Sequence, residues 1–200
     1  MGFFKIKSKE EKFWEWFVND EKFIANWKND QDAVFQKLID KLREVKKDLC
    51  FEFGPAKNGK QEIVISADGI ISLIDSVKAL VGSAPELKDW KVTAFRPRVG
   101  TDIKLNLGGL EIDNSDIYFS FLESTNNRLP LQFYIKDYQE NDKRYMAAIF
   151  RFLDFALGEY DVMTRIGEIK ITGLPANHKE LAVHEFSKLP DYFNRKFANS

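Results

Sequence analysis

The chain has 200 residues, a length within the range of one domain and sufficient to bury a substantial core. Its apolar fraction of 44% and its 18 phenylalanines favour a packed globule over a disordered chain. Thirty basic side chains oppose 31 acidic ones, and the net charge of −1 gives no electrostatic reason to expect a nucleic-acid partner or an anionic membrane.

Cysteine content and hydropathy indicate the compartment. Cys50 is the only cysteine, so no intramolecular disulfide can form, which is compatible with a reducing cytosol. After Phe4 the N-terminal segment is too polar for a signal peptide, and no apolar run approaches the roughly 20 residues that cross a bilayer. We therefore expect a soluble, cytoplasmic protein of bacterial type.

Residues 8–47 carry a helical pattern. Ser8 followed by Glu11 matches a capping box, in which each side chain satisfies a free backbone donor of the first turn. Large apolar side chains then recur at near-helical spacing. A polar break at residues 28–30 precedes a second apolar stripe with a period of about 3.6 residues. The pattern predicts a helical hairpin.

The middle of the chain repeats one order of elements. A strand with Phe51 and Phe53, a tight turn at Asn58-Gly59 and a strand at residues 62–68 precede a helical stretch and a third strand at residues 90–95. Two hairpins followed by helices can share such a pattern by chance, but the ungapped alignment of strand, turn and strand favours an internal duplication. The second copy comprises strands near 116–123 and 130–137, a turn at 125–128, a helix at 141–157 and a strand at 166–172.

These patterns predict a single α+β domain over residues 1–200. Its antiparallel-rich sheet is built from two ββαβ-like units, with the helices mainly on one face. The predicted segments are a helical hairpin (8–47), a first ββαβ unit (48–98), an inserted strand or hairpin (99–115), a second ββαβ unit (116–173), and a C-terminal helix and tail (174–200), with that helix over roughly 178–188.

No motif identifies a reaction. The sequence contains no Gly-rich phosphate loop, nucleophile elbow or zinc-ligand spacing. His178 and His184 stand six positions apart, which on a helix places them on faces roughly 120° from each other and prevents them from sharing a metal. We expect no metal and no cofactor.

Two arginines, Arg96 and Arg98, flank a proline and form the most distinctive polar cluster. In an extended chain both point to the same side, a geometry that suits the carboxylate or phosphate of a small anionic ligand. Ordinary salt bridges, or contacts with a helix C-terminus, are the alternative. Glu123, Glu159 and Asp161 are the candidate partners. The segment from Glu159 to Asp161 is either a solvated turn or part of a polar cluster with the arginines.

The segment around Asp68 also allows two interpretations. Ser66 and Asp68, at a strand end beside a helix N-terminus, could form a small polar binding site. Alternatively, Asp68 is the N-cap of the next helix, and Gly69 permits the sharp entry into that helix. The sequence favours the N-cap.

Aromatic side chains are concentrated in the predicted first helix, where most are expected to supply burial. Trp14 and Trp16 are two positions apart and cannot share a helix face, so one of them is expected to stay partly exposed. This makes the two tryptophans a candidate interaction surface.

Several short motifs resemble a family of bacterial proteins of unknown function. The likeness spans much of residues 10–172. It implies a single α+β domain, and it transfers no reaction and no functional residue to this chain. The motifs are Val64-Ile-Ser-Ala-Asp-Gly69, Ala84-Pro-Glu-Leu87, Trp90, Ala94-Phe-Arg-Pro-Arg98 and Leu157-Gly-Glu-Tyr160.

Function has to be inferred from sites rather than from the fold. The sequence favours a non-catalytic binding or protein-interaction module, with a protein or a small anionic ligand as its partner. A groove between the two units, or the aromatic N-terminal helices, would supply the surface. The alternatives are a small-molecule-binding protein or hydrolase with a carboxylate and arginine cleft, and a toxin-neutralising (immunity-like) or stress-associated partner protein.

Overall fold

The computed structural model describes residues 6–123 and 127–198. The chain divides into two compact units, Met1–Arg96 and Pro97–Ser200, and each contains both helices and strands. The α+β class is therefore confirmed, whereas a single domain over the whole chain stays a prediction. Within the described ranges, no helix has both the length and the apolar composition that crossing a membrane requires.

The first unit has the predicted ββαβ order after its N-terminal helices. Strand β1 pairs antiparallel with β2, and β2 pairs parallel with β3. The chain crosses from β2 to β3 through a 3-10 turn and helix α4. The elements are α1 (Lys9–Asn19), α2 (Glu21–Ala25), α3 (Gln31–Val45), β1 (Cys50–Phe53), β2 (Gln61–Ser66), α4 (Ile74–Gly82) and β3 (Trp90–Ala94).

Two local predictions for the first unit are confirmed: the start of the first helix and the hairpin turn. The Glu11 amide donates to Ser8 Oγ at 3.1 Å and the Ser8 amide donates to the Glu11 carboxylate at 2.7 Å, which is the capping box. Asn58 and Gly59 both have positive φ, as a two-residue hairpin turn between antiparallel strands requires. The N-terminal segment contains three helices instead of the two of a hairpin.

The second unit repeats the ββαβ order and adds a separate hairpin. Strand β6 pairs antiparallel with β7, β7 pairs parallel with β8, and the sheet order is β8-β7-β6-β9. That the two copies arose by duplication stays a prediction, and residues 125 and 126 of the turn expected at 125–128 lie outside the described residues. The elements are β4 (Lys104–Leu107), β5 (Leu110–Asp113), β6 (Ile117–Phe121), β7 (Leu129–Ile135), α5 (Arg144–Leu157), α6 (Glu159–Arg165), β8 (Ile166–Gly173), β9 (His184–Glu185) and α7 (Leu189–Phe197).

The core of the second unit lies between one face of its sheet and the helices. Phe119 and Phe133 point from the sheet into this core, where they meet Ile149 and Phe152 from α5 and Phe193 from α7, all nearly or fully buried. The β4–β5 hairpin contributes Ile112 to the same core. The helices of this unit therefore lie on one face of the sheet, as predicted.

The prediction of a helix over residues 178–188 is wrong. This segment contains a 3-10 turn, the short strand β9 and a second 3-10 turn, and the helix α7 follows it. Pairing of His184 with Phe119 on β6 holds the segment extended, and fully buried Phe186 anchors it in the core. Pro190 in the first turn of α7 favours a helix start at that point because its fixed φ suits the first helical positions.

Gly158 has a backbone conformation that favours glycine. It separates α5 from α6 with φ of 85° and ψ of 141°, a conformation that side chains with a Cβ rarely adopt, and its amide donates to the Asp154 carbonyl at 2.8 Å. We expect Gly158→Ala to lower the free energy of unfolding by about 1–3 kcal/mol, measured by urea denaturation followed by circular dichroism.

Gly82 at the end of α4 is the matched control. It has no positive φ, and an added Cβ would meet no atom within 4 Å. Gly82→Ala is expected to leave stability unchanged or to raise it by up to about 1 kcal/mol. Equal losses in the two variants would show that the Gly158 backbone is not the cause.

Candidate functional site

Arg96 is the buried centre of an ion-pair cluster in the first unit, and its two carboxylate partners are partly exposed. Its side chain donates from Nε to Glu52 at 2.5 Å and from a terminal nitrogen to Asp68 at 2.8 Å, and the residue is only 8% exposed. The topology brings these groups together, because the C-terminal ends of the parallel strands β2 and β3 lie beside the start of the antiparallel strand β1. The salt-bridge interpretation of Arg96 is therefore what the structure shows.

Asp68 is part of a tight turn and not a helix cap. Asp68 and Gly69 both have positive φ, and the Ile70 amide closes the turn by donating to the Ala67 carbonyl at 2.9 Å. The next helical turn begins at Ile71, and it receives no side-chain cap. The predicted N-cap is wrong because the chain reverses direction before the helix begins, which leaves the carboxylate beside Arg96.

Arg98 belongs to the second unit and has other partners. Its guanidinium donates to the Leu157 carbonyl at 2.5 Å, to Asn194 Oδ1 at 2.8 Å and to Asp161 Oδ2 at 2.7 Å. It also lies over the Phe193 ring, with 5.3 Å from Cζ to the ring centroid. These contacts connect the end of α5 to α6 and α7, so Arg98 has a structural role. Ligand binding by either arginine stays a prediction.

The two glutamates that the sequence suggests as partners of the arginines, Glu123 and Glu159, lie in different environments. Glu159 is fully buried at the start of α6, which rules out the solvated turn, whereas Glu123 is exposed after β6. Asp161 is half-buried. Its carboxylate pairs with the Arg98 guanidinium, and its Oδ1 lies 3.5 Å from Arg165 Nε. The predicted polar cluster therefore forms through Asp161.

The two tryptophans of α1 differ in burial, as their spacing predicts. Trp14 is 2% exposed and its indole donates to the Leu80 carbonyl at 2.7 Å, so it belongs to the core and not to an exposed interaction surface. Trp16 is half-buried and its indole donates to Asp20. A shallow groove of about 280 Å³ lies between α1 and the segment after α4, with Val18 and Pro85 in its lining.

The histidines contact aromatic side chains. His184 Nδ1 lies 3.2 Å from the Tyr192 hydroxyl, with 4.5 Å between the ring centroids. The His178 ring is centred 5.1 Å from that of Tyr118. In the part of the chain that the structure describes, no group of three or more His, Cys, Asp or Glu side chains could hold a metal ion.

A polar face with two paired tyrosines lies on the second sheet, opposite the core. In one row of the sheet Tyr118 pairs with Tyr134, which pairs with Thr172. In the next row Ser120 pairs with Gln132, which pairs with Lys170. Because successive residues of a strand point to opposite faces, these side chains point away from the core that Phe119 and Phe133 enter. We call these six residues the tyrosine face.

The tyrosine face is partly exposed to solvent, and on this face Tyr118 contacts the His178 ring. Tyr118, Ser120, Gln132 and Tyr134 are half-buried, and Lys170 is exposed. The Ser120 and Tyr134 hydroxyls lie 3.3 Å apart. The sequence contains a signal for this face, since polar and tyrosine residues alternate with buried apolar ones along β6 and β7.

Comparison of the chain with known protein families, with curated proteins and with solved structures finds no match. The resemblance to a bacterial family stays an expectation.

Asp68 provides a test of the Arg96 cluster. Asn tolerates the left-handed backbone, so Asp68→Asn removes the charge and keeps the turn, with an expected loss of up to about 1 kcal/mol for this exposed partner. Asp68→Ala also places an alanine at φ of 48°, which costs about 1–2 kcal/mol more. Thermal unfolding of both variants measures the difference, and equal losses would contradict the assigned turn strain.

Glu62 on β2 provides a test by pH. Burial raises the pKa of its carboxyl. Hydrogen bonds from Lys91 Nζ at 2.7 Å and Thr93 Oγ1 at 2.5 Å, together with the positive charges of Lys91 and Lys57, lower the pKa by more than burial raises it, so the net pKa lies below the ordinary value. The ionised carboxylate therefore stabilises the fold above the unfolded-state pKa of about 4.3, and this contribution is lost as the pH falls through the lower folded-state pKa.

Glu62→Gln removes the titrating group and keeps the shape. We expect the unfolding free energy of the variant to fall less steeply than that of the wild type as the pH is lowered below about 4.3. Urea denaturation at a series of pH values measures both slopes. Parallel slopes would show that Glu62 does not contribute to acid sensitivity.

Proposed function

We propose that the protein is a non-catalytic protein-binding module and that the tyrosine face is its binding surface. The observation that carries this proposal is the cross-strand pair of Tyr118 and Tyr134 on a sheet face opposite the helices of the second unit. Tyrosine is enriched at protein interfaces because it combines a large contact area with a hydroxyl and few rotatable bonds.

The shape of the face favours a protein partner over a small molecule. Small ligands are bound in concave pockets of about 300–1,000 Å³ that bury most of their surface. The rows of Tyr118, Tyr134 and Thr172 and of Ser120, Gln132 and Lys170 instead form one side of a sheet. Hydroxyl and amide groups between the tyrosines match the mixed polar and apolar character of non-obligate interfaces.

The charges around the face support the same choice. Lys170 lies 3.5 Å from Glu168, and the exposed Glu185 is paired with Tyr118 in the sheet register. This mixture of signs provides no continuous positive strip for a phosphate backbone. A protein surface with its own mixed polar groups is the partner that fits.

The hydrolase alternative lacks a specific supporting observation. Arg96 donates to Glu52 and Asp68, and Arg98 donates to Asp161, so these guanidiniums contribute to the fold. Such ion pairs are common structural features. Neutralising a toxin would be one form of the proposed binding, because it needs the same kind of surface.

Tyr134→Ala tests the proposal. The tagged wild-type chain is used to capture partners from cells that express it, and a captured protein is then purified and titrated against each variant by calorimetry. We expect the substitution to weaken binding about 30-fold, the effect of removing an interface tyrosine worth about 2 kcal/mol. The fold should remain intact, since Tyr134 points away from the core.

Tyr160→Ala is the matched control, because Tyr160 is an exposed tyrosine on α6 and not on the sheet. It is expected to leave the affinity within about twofold of the wild type. A purified partner that binds wild type and Tyr134→Ala equally would contradict the tyrosine face as the binding surface.

A further inference from the structure

We propose that β8 pairs edge to edge with β8 of a second copy of the chain, in an antiparallel arrangement with twofold symmetry. Strand β8 has eight residues and forms one end of the four-stranded sheet, paired with β7 on its inner side. The strand at the other end, β9, has only two residues. Proteins protect sheet edges with short strands, prolines, bulges or charges of one sign. Strand β8 is long and contains no proline, its irregularity is confined to residues 166–169, and its two charged residues have opposite signs.

The pairing of β8 with β7 has a register shift between Ile166 and Ile169, and from Glu168 onward the side chains of β8 alternate between the two faces of the sheet. Ile169 and Ile171 are half-buried and pack against the core of the second unit. On the opposite face, the side chains of Glu168 and Lys170 are 64% and 54% exposed. An acidic and a basic group thus lie two positions apart on the same face, on either side of Ile169.

This arrangement is complementary to itself in one register. A twofold axis perpendicular to the sheet at Ile169 places that residue opposite its own copy and keeps both faces of the sheet aligned. Glu168 of each copy then lies opposite Lys170 of the other, which gives two cross-strand ion pairs on the exposed face. Opposite charges in directly facing positions stabilise a strand pair.

The neighbouring registers are disfavoured by the same charges. Moving the twofold axis to Glu168 places two glutamates opposite each other, and moving it to Lys170 places two lysines opposite each other. A twofold axis between two residues, for example between Glu168 and Ile169, would place residues opposite each other whose side chains point to different faces of the sheet. The sequence of β8 therefore selects the register centred on Ile169.

Such an interface is small, because one strand of each copy supplies its backbone contacts. Interfaces at this end of the size range associate weakly, with dissociation constants in the micromolar range. The dimer would join the two sheets into one of eight strands and leave the tyrosine faces of both copies on the same side. The pairing does not depend on what the tyrosine face binds.

Charge reversal with rescue is the decisive experiment. Sedimentation equilibrium of the wild-type chain at about 10 μM to 1 mM is expected to show a mass rising from 23.3 kDa towards twice that value. Glu168→Lys and Lys170→Glu each place like charges opposite each other, so each variant alone should dimerise about tenfold or more weakly. An equimolar mixture of the two variants restores both ion pairs and should recover the wild-type association.

Glu111→Lys is the matched control, since Glu111 is an equally exposed glutamate on β5 that lies 3.5 Å from Lys104. It should leave the dimer unchanged, and circular dichroism establishes that every variant is folded. A wild-type chain that stays at 23.3 kDa throughout, or a mixture that associates no better than its components, would overturn the proposal. Glu111→Lys carries the same net charge as Glu168→Lys, so its mixture with Lys170→Glu should not recover the association, and this comparison distinguishes β8 pairing from a general attraction between oppositely charged variants.

Discussion

Parallel pairing of β7 with β8 is the constraint on which the second unit depends. Two parallel neighbours cannot be joined by a tight turn, so the chain must return across the sheet, and α5 and α6 make that return. These helices bury one face of the sheet. The alternate residues of β6, β7 and β8 are left on the opposite face, which is why Tyr118 and Tyr134 are half-buried and lie outside the core.

The first unit has the same crossover, yet its strand ends carry different chemistry. In both units the ladder continues past the last strand: the Phe95 amide donates to the Ile65 carbonyl at 2.8 Å, and the Leu174 amide donates to the Ile135 carbonyl at 2.9 Å. In the first unit the next residue is Arg96, which forms ion pairs with Glu52 and Asp68. In the second unit the corresponding residue is the uncharged Pro175, so the repeated scaffold does not imply a repeated site.

Local patterns were sufficient for the elements whose signals are local. The Ser8 and Glu11 capping box and the Asn58-Gly59 turn depend on neighbouring residues, and the structure confirms them. The partners of Arg96 stand 44 and 28 positions away in the chain, so no local pattern identifies them. The C-terminal helix was misplaced for the same reason, because the pairing of β9 with β6 is a tertiary contact.

The tyrosine face could be predicted in principle from the period-two alternation in β6 and β7. Its exposure could not, because exposure depends on which face of the sheet the crossover helices cover.

The edge strand β8 is a different case. Its Glu168 and Lys170 interact within one chain at 3.5 Å while both are largely exposed, and such exposed pairs contribute little to stability. Exchanging that contact for two cross-strand pairs with a second copy therefore costs little, while charges of a single sign would have repelled every copy. Alternating signs exclude the registers centred on either charge and permit the one centred between them.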